Sequence, residues 1–143
     1  MSNRSSELRY GDIAVGDSAQ FTVAITADLV NRFADLSGDA NPLHVDEAYA
    51  ATTQFGRRVA HGMIAGAFFS RLVGMQLPGK YALYLSQTLK FHNPILIGDE
   101  IVIRGEVVHK TESHHMIEIS LTAENAASRQ VMASGTAMVK VLM

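Results

Sequence analysis

Gly62-Met63-Ile64-Ala65-Gly66-Ala67-Phe68-Phe69-Ser70-Arg71-Leu72-Val73-Gly74-Met75 is the stretch that sets the architecture. It is apolar nearly all round, and a helix of that kind is normally buried within its domain. At ~1.5 Å per residue it would be roughly 20 Å long, enough to thread a small domain. Pro78-Gly79 ends it. The run carries Gly66, Ser70 and Arg71 and is too short to span a bilayer.

Downstream of this helix the period changes from helical to alternating. Leu83, Leu85, Gln87, Leu89 and Phe91 alternate with Tyr84, Ser86, Thr88 and Lys90, and Pro94 ends the strand. Gly98-Asp99 makes a turn before Ile101, Ile103, Gly105 and Val107 alternate. A turn near Lys110–Ser113 leads to His115, Ile117, Ile119 and Leu121. Asn125 to Arg129 turns again, and Val131, Ala133, Gly135, Ala137 and Val139 form the last strand. Successive strands with short links imply an antiparallel meander with one face to bury. The apolar helix is the object to put against it. The expected class is α+β, a curved antiparallel sheet wrapped around a long central helix.

Upstream, residues 1–10 read as a loose lead-in, followed by turns at Gly11-Asp12 and Gly16-Asp17. Phe21, Val23 and Ile25 alternate as in a half-buried strand. Thr26 can cap a helix over Ala27 to Leu36, with Leu29, Val30, Phe33 and Leu36 on its inner face and Gly38 as terminator. Asp46 can cap a short helix through about Thr53.

Bulk properties bound the function. A chain of 143 residues reads as one domain, 1–143, large enough for a real core. Hydrophobic residues at 48% against 18% charged argue against disorder. A net charge of −2 with scattered basic residues gives no reason to expect nucleic acid, and the adjacent pair Arg57-Arg58 reads as solvated surface. Without cysteine there is neither a disulfide framework nor a thiol nucleophile. Met1-Ser2-Asn3-Arg4-Ser5-Ser6 lacks the apolar core of a signal peptide, so a cytoplasmic protein away from membranes is the expectation.

Ser37-Gly38-Asp39-Ala40-Asn41-Pro42-Leu43-His44 places an acid and an imidazole on a short stiffened loop between helices. His titrates near neutrality and Asp can act as an acid or base when buried or partnered. Pro42 disfavours helix at Asn41 and stiffens the loop, which suits proton transfer. Asn41 can bond the loop or orient a reactant. The same residues also describe an ordinary helix-terminating turn, with Asp39 and Asn41 bonding backbone. His61-Gly62 opens the apolar helix, whose first N–H groups lack internal partners at the positive end of the dipole. Gly62 admits close approach, so its N–H could polarise a carbonyl. Gly62 could equally permit a tight turn while His61 satisfies its own surroundings. Ser70 either bonds back to a helix carbonyl or touches a ligand.

Other chemistries find little footing. No His-x-x-x-His helix or Cys/His cluster points to zinc, so no metal is expected. No phosphate-binding glycine motif and no Gly-x-Ser-x-Gly elbow is present. The seven methionines read as core filler.

Gly38-Asp39-Ala40-Asn41-Pro42-Leu43-His44-Val45-Asp46, followed by Phe55-Gly56 and Val59-Ala60-His61-Gly62-Met63, resembles the MaoC-like hydratases of the hot-dog fold. Within them it looks most like the (R)-specific enoyl-CoA hydratases that feed polyhydroxyalkanoate synthesis. The similarity continues through Gln76-Leu77-Pro78-Gly79-Lys80, Gln87-Thr88-Leu89-Lys90-Phe91 and Pro94 with Gly98-Asp99-Glu100. It runs from roughly Thr26 to the C-terminus. It implies a single hot-dog domain, a homodimer whose two sheets join, and Asp39 with His44 as catalytic dyad. It also implies that the Gly62 amide serves the thioester carbonyl, and that Ser70 lies near the dyad and acyl pocket, with Asn41 and His61 in support. The implied reaction is reversible hydration of trans-2-enoyl-CoA to (R)-3-hydroxyacyl-CoA, with CoA as part of the substrate and no cofactor. Alternatives are a 3-hydroxyacyl dehydratase working on acyl-carrier protein, a hot-dog thioesterase, and a non-catalytic acyl-thioester-binding module. Arg57, Arg58 and Lys80 could dock a carrier protein or grip CoA phosphates. The absence of Asp or Glu from Gly62–Met75 counts against a thioesterase.

Overall fold

The alternating segments hydrogen-bond into one antiparallel sheet in a computed structural model that describes residues 3–143. Its strands are β1 (Ser18–Ala24), β2 (Ala82–Gln87), β3 (Lys90–Phe91), β4 (Glu100–Thr111), β5 (Met116–Asn125) and β6 (Val131–Val141). They lie in the order β1-β4-β5-β6-β2, and β3 also pairs with β6. The helices are α1 (Ala27–Ser37), α2 (Pro42–Val45), α3 (Glu47–Thr52) and α4 (Ile64–Met75).

Helix α4 lies on the inner face of the sheet. Its Ile64, Ala65, Phe69, Leu72 and Val73 join Ile101, Ile103, Val107, Ile117, Ile119, Leu121, Ala137 and Val139 in one core. The strand residues are every second one of their strands, as the alternation requires. Gly105 makes the close approach possible. A Cβ there would lie 2.7 Å from Leu72 Cδ2 and 3.0 Å from Leu121 Cδ2.

Several expectations need correction. The strand read over Leu83–Phe91 is broken: β2 and β3 are separate, and the β2–β6 register shifts between Tyr84 and Ser86. Helix α4 starts at Ile64, with Gly62 and Met63 in the preceding turn, and Ala67, Ser70 and Gly74 are exposed on it. It is therefore covered along one side of this chain and not all round. Thr26 and Gly38 do cap α1 at its two ends, but Leu36 is 85% exposed and Ala34 takes the inward place. His115 is not in β5; it adopts a left-handed conformation before the strand, with φ 51°.

The lead-in is anchored, not loose, over its described residues; Met1 and Ser2 lie outside them. A helix leaves its last carbonyls without partners, and Ser6 supplies donors at the end of α4. Its N–H reaches Met75 O at 2.9 Å and its Oγ reaches Gln76 O at 2.6 Å. Gly79, at φ +89°, makes room for this segment, since a Cβ there would sit 2.2 Å from Ser6 O. Tyr10 is buried, stacks on His115 at 4.5 Å, and donates its N–H to Met143 O at 2.9 Å. No helix among the described residues is long and apolar enough to cross a membrane.

Candidate active site

The chain reverses at the end of α1, and the reversal places Asp39. Gly38 takes the left-handed conformation that few side chains tolerate, φ 79°, and its N–H closes on Ala34 O at 2.8 Å. Asp39 then uses Oδ1 to accept the Asn41 N–H at 3.3 Å, and Asn41 Oδ1 accepts the Leu43 N–H at 3.0 Å. With Pro42 in its first turn, this starts α2, a short helix that the loop reading missed. The turn-forming role of Asp39 and Asn41 is thus present, and it still leaves Asp39 Oδ2 free to face His44.

His44 leaves α2 with its ring turned toward that carboxylate. Nδ1 lies 2.7 Å from Val59 O. A carbonyl only accepts, so Nδ1 carries the proton and, in the neutral ring, Nε2 presents a lone pair. Nε2 lies 4.0 Å from Asp39 Oδ2. The His44 side chain is 16% exposed and that of Asp39 53%. Two acceptors thus face each other across a gap too long for a direct hydrogen bond. A molecule with two hydrogens to donate, such as water, matches that gap.

His61 braces both members. Its Nε2–H donates to Asp39 O at 2.8 Å, and its ring stacks on that of His44 with centroids 3.9 Å apart and planes at 30°. Phe33 packs against it at 4.8 Å. His61 is buried, and its Nδ1 has no hydrogen-bond partner among the described residues. Asp39, His44 and His61 each offer one donor atom within 4.8 Å of the others.

A cavity of about 430 Å³ opens beside His44 and is lined also by Gly62, Met63, Phe91, Met132 and Ala133. Gly62 lies one residue ahead of the cap of α4, not in its first turn. Its N–H has no protein acceptor among the described residues. The Phe91 ring covers its Cα, so that a Cβ would lie 3.0 Å from Phe91 Cδ1. An amide donor without a partner, an apolar wall and His44 therefore share one cavity, and Asp39 faces His44 from beside it.

The structure brings together Asp39, His44, His61 and Gly62. Asn41 is an exposed helix cap at the edge of this group. Ser70 is not brought in: it is exposed on α4, six residues beyond its start at Ile64, and does not line the cavity. The basic pair also behaves differently from expectation. Arg57 is half exposed, 4.0 Å from Asp99, but Arg58 is buried at 6% exposure and cannot reach a phosphate in solution. Its position next to the apolar pair Val59-Ala60 is the hint the sequence holds.

Residues 13–128 match the family described as MaoC like domain. An (R)-specific enoyl-CoA hydratase of Aeromonas caviae is 47% identical over 95 residues, 66% of this chain and 71% of that protein. An (R)-specific enoyl-CoA hydratase of Rhodospirillum rubrum is 37% identical over 130 residues, 91% of this chain and 90% of that protein. Among solved structures, an R-hydratase from Pseudomonas aeruginosa in the unliganded form superposes with a TM-score of 0.92 at 36% identity. That match covers 96% of this chain and 87% of the other.

Proposed function

The chain belongs to the MaoC-like domain family, and from that premise we propose that it is a hydro-lyase adding water reversibly across trans-2-enoyl-CoA to give (R)-3-hydroxyacyl-CoA. The observation that carries this reading is the facing pair of acceptors, Asp39 Oδ2 and His44 Nε2 at 4.0 Å, beside a cavity that the Gly62 amide lines.

The chemistry follows from what each group can hold. The thioester carbonyl accepts the Gly62 N–H, which draws electron density from Cβ and stabilises the charge that develops on the oxygen. A water donates one hydrogen toward Asp39 Oδ2 and the other toward His44 Nε2. One of these protons passes to the pair as the water oxygen bonds to Cβ, and the pair delivers a proton to Cα. Asp39 and His44 are best treated as a unit, because both face the same water and either can take or return its proton. His61 keeps both in register. The scheme calls for no metal or redox cofactor, since CoA enters as part of the substrate.

CoA is proposed as the carrier because the similar (R)-specific enoyl-CoA hydratases are named for it. The basic residues do not separate the two carriers: Arg58 is buried, and Arg57 and Lys80 stay on the surface beside Asp99 and Glu7. A homodimer is part of the proposal. Strand β2 ends the sheet and carries Leu83 and Leu85, each nearly half exposed, so it offers an edge for a second copy. A sedimentation measurement that finds only monomer at micromolar protein removes this part.

The test is hydration of crotonyl-CoA, followed by loss of the enoyl-thioester absorbance, with chiral analysis of the product. His44→Ala is expected to lose at least about 100-fold in kcat. Full activity of that variant refutes the dyad, and an (S)-alcohol product refutes the stereochemistry. Release of free thiol would mark a thioesterase instead, and binding without turnover a non-catalytic module.

A further inference from the structure

Arg58 is a buried cation that the scheme above leaves without a task. Among the described residues no carboxylate oxygen lies within 4.0 Å of its guanidinium. Its printed contacts are with neutral acceptors: Nε donates to His44 O at 2.5 Å and Nη2 to Asn31 Oδ1 at 2.5 Å. Burying a charge without a counter-charge is expensive, and an apolar or amide side chain would fill the space more cheaply.

The two acceptors explain what the expense achieves. His44 O lies in the last turn of α2, a four-residue helix whose final carbonyls have no helical partner. Asn31 belongs to α1, which ends at Ser37 and leads through its Gly38 cap directly into Asp39. One guanidinium thus ties α2, which bears His44, to α1, from whose end the Asp39 loop departs. The residue beside it completes the clamp. The Val59 N–H donates to Leu43 O at 3.2 Å, and Val59 O accepts the His44 Nδ1–H. The Arg58-Val59 strap is itself fixed to the segment before β4, through Ile97 N–H to Arg58 O at 3.2 Å and Ala60 N–H to Ile95 O at 2.7 Å.

We infer that Arg58 is a positioning residue, whose forked donors lock α2 to α1 and so set the spacing between Asp39 and His44. The inference rests on the dyad reading above. Arginine is required because two donors must meet two acceptors at a fixed angle, and a lysine ammonium is a point charge on a flexible stem. The tolerance is small, since a misplacement of about 1 Å at a reacting pair can cost on the order of 100-fold in rate.

The test compares Arg58→Gln and Arg58→Lys with the unaltered protein. Arg58→Gln is expected to lose about 10–100-fold in kcat on crotonyl-CoA, with KM changed less than about threefold, and Arg58→Lys to recover only part of the loss. The ¹⁵N spectrum of the His44 imidazole should also lose its Nδ1–H signature in Arg58→Gln. A folded Arg58→Gln with unaltered kcat overturns the inference. So does a loss confined to KM or thermal stability, or a lowered kcat with the His44 signature intact. If Arg58→Gln does not fold, Asn31 decides. Asn31→Asp keeps an acceptor and should keep kcat, whereas Asn31→Leu should lose it; equal kcat in the two overturns the inference. Active Asp39→Asn and His44→Ala variants would remove the dyad reading itself. Inactive dyad variants beside a fully active Arg58→Gln remove only the role of Arg58.

Discussion

Replacing Asp39 by Asn should abolish turnover without loosening the fold, and the geometry says why. Asp39 Oδ1 accepts the Asn41 N–H at 3.3 Å, and an Asn amide oxygen can keep that bond. The amide nitrogen then falls where Oδ2 was, 4.0 Å from His44 Nε2. A pair of facing acceptors becomes a donor facing an acceptor. The two can close by about 1 Å into a direct hydrogen bond, since N–H···N and N–H···O contacts are near 3 Å. The gap that suited a water is lost, together with the carboxylate that could take a proton. Losing a positioned general acid or base costs about 10²–10⁴ in kcat, and the lower bound corresponds to about 2.7 kcal/mol of activation free energy. Stability should stay within about 0.5 kcal/mol, because the Asp39 side chain is half exposed and the turn bond survives. Crotonyl-CoA hydration gives kcat and KM, and a thermal melt of the same sample controls for folding. KM should be unchanged, because the lost interaction belongs to the transition state. A folded Asp39→Asn retaining more than about a tenth of the kcat, a loss smaller than that range allows, would refute the two-acceptor reasoning.

Two further outcomes follow from packing and titration. Gly105→Ala should destabilise, because the new methyl meets Leu72 Cδ2 at 2.7 Å among wholly buried neighbours; overpacking of about 1–3 kcal/mol outweighs the ~0.5–1 kcal/mol gained by removing a strand glycine. Gly66→Ala should leave the melting temperature equal or higher, since it meets only half-buried Leu89 Cδ1 at 3.1 Å and gains about 0.8–1 kcal/mol of helix propensity; melts of the same sign for both variants contradict this account. Burial pushes the Tyr84 phenol up from 10.0 to about 12. The folded state therefore holds this proton more tightly than the unfolded chain, so its stability contribution is complete below pH 10 and is lost as pH rises toward 12. Tyr84→Phe should flatten that alkaline decline in melting temperature, and an unchanged decline assigns it to other groups.

The sequence by itself determined what depends on neighbours along the chain. Thr26 and Gly38 delimit α1 because a cap needs only a side-chain oxygen three residues from an N–H, or a backbone free to turn left-handed. The alternation of Ile101, Ile103, Gly105 and Val107 set the inner face of β4, because successive strand side chains point to opposite sides. Asp39 and His44 were legible because five positions and a proline keep them close whatever the rest of the fold does. Only the tertiary structure decided which surfaces are covered and which charges are buried. Leu36 carries the helical period of an inner face and is exposed, because no element lies over the last turn of α1 on that side. Ser6 and Tyr10 look like a loose end and are anchored, because their partners are Gln76, in the middle of the sequence, and Met143, at its other end. Arg58 looks like solvated surface and is buried, because its two acceptors lie 27 and 14 residues away. Local pattern specifies a hydrogen bond or a face within one element. The cost of burying a charge is set by groups that only the folded chain brings together.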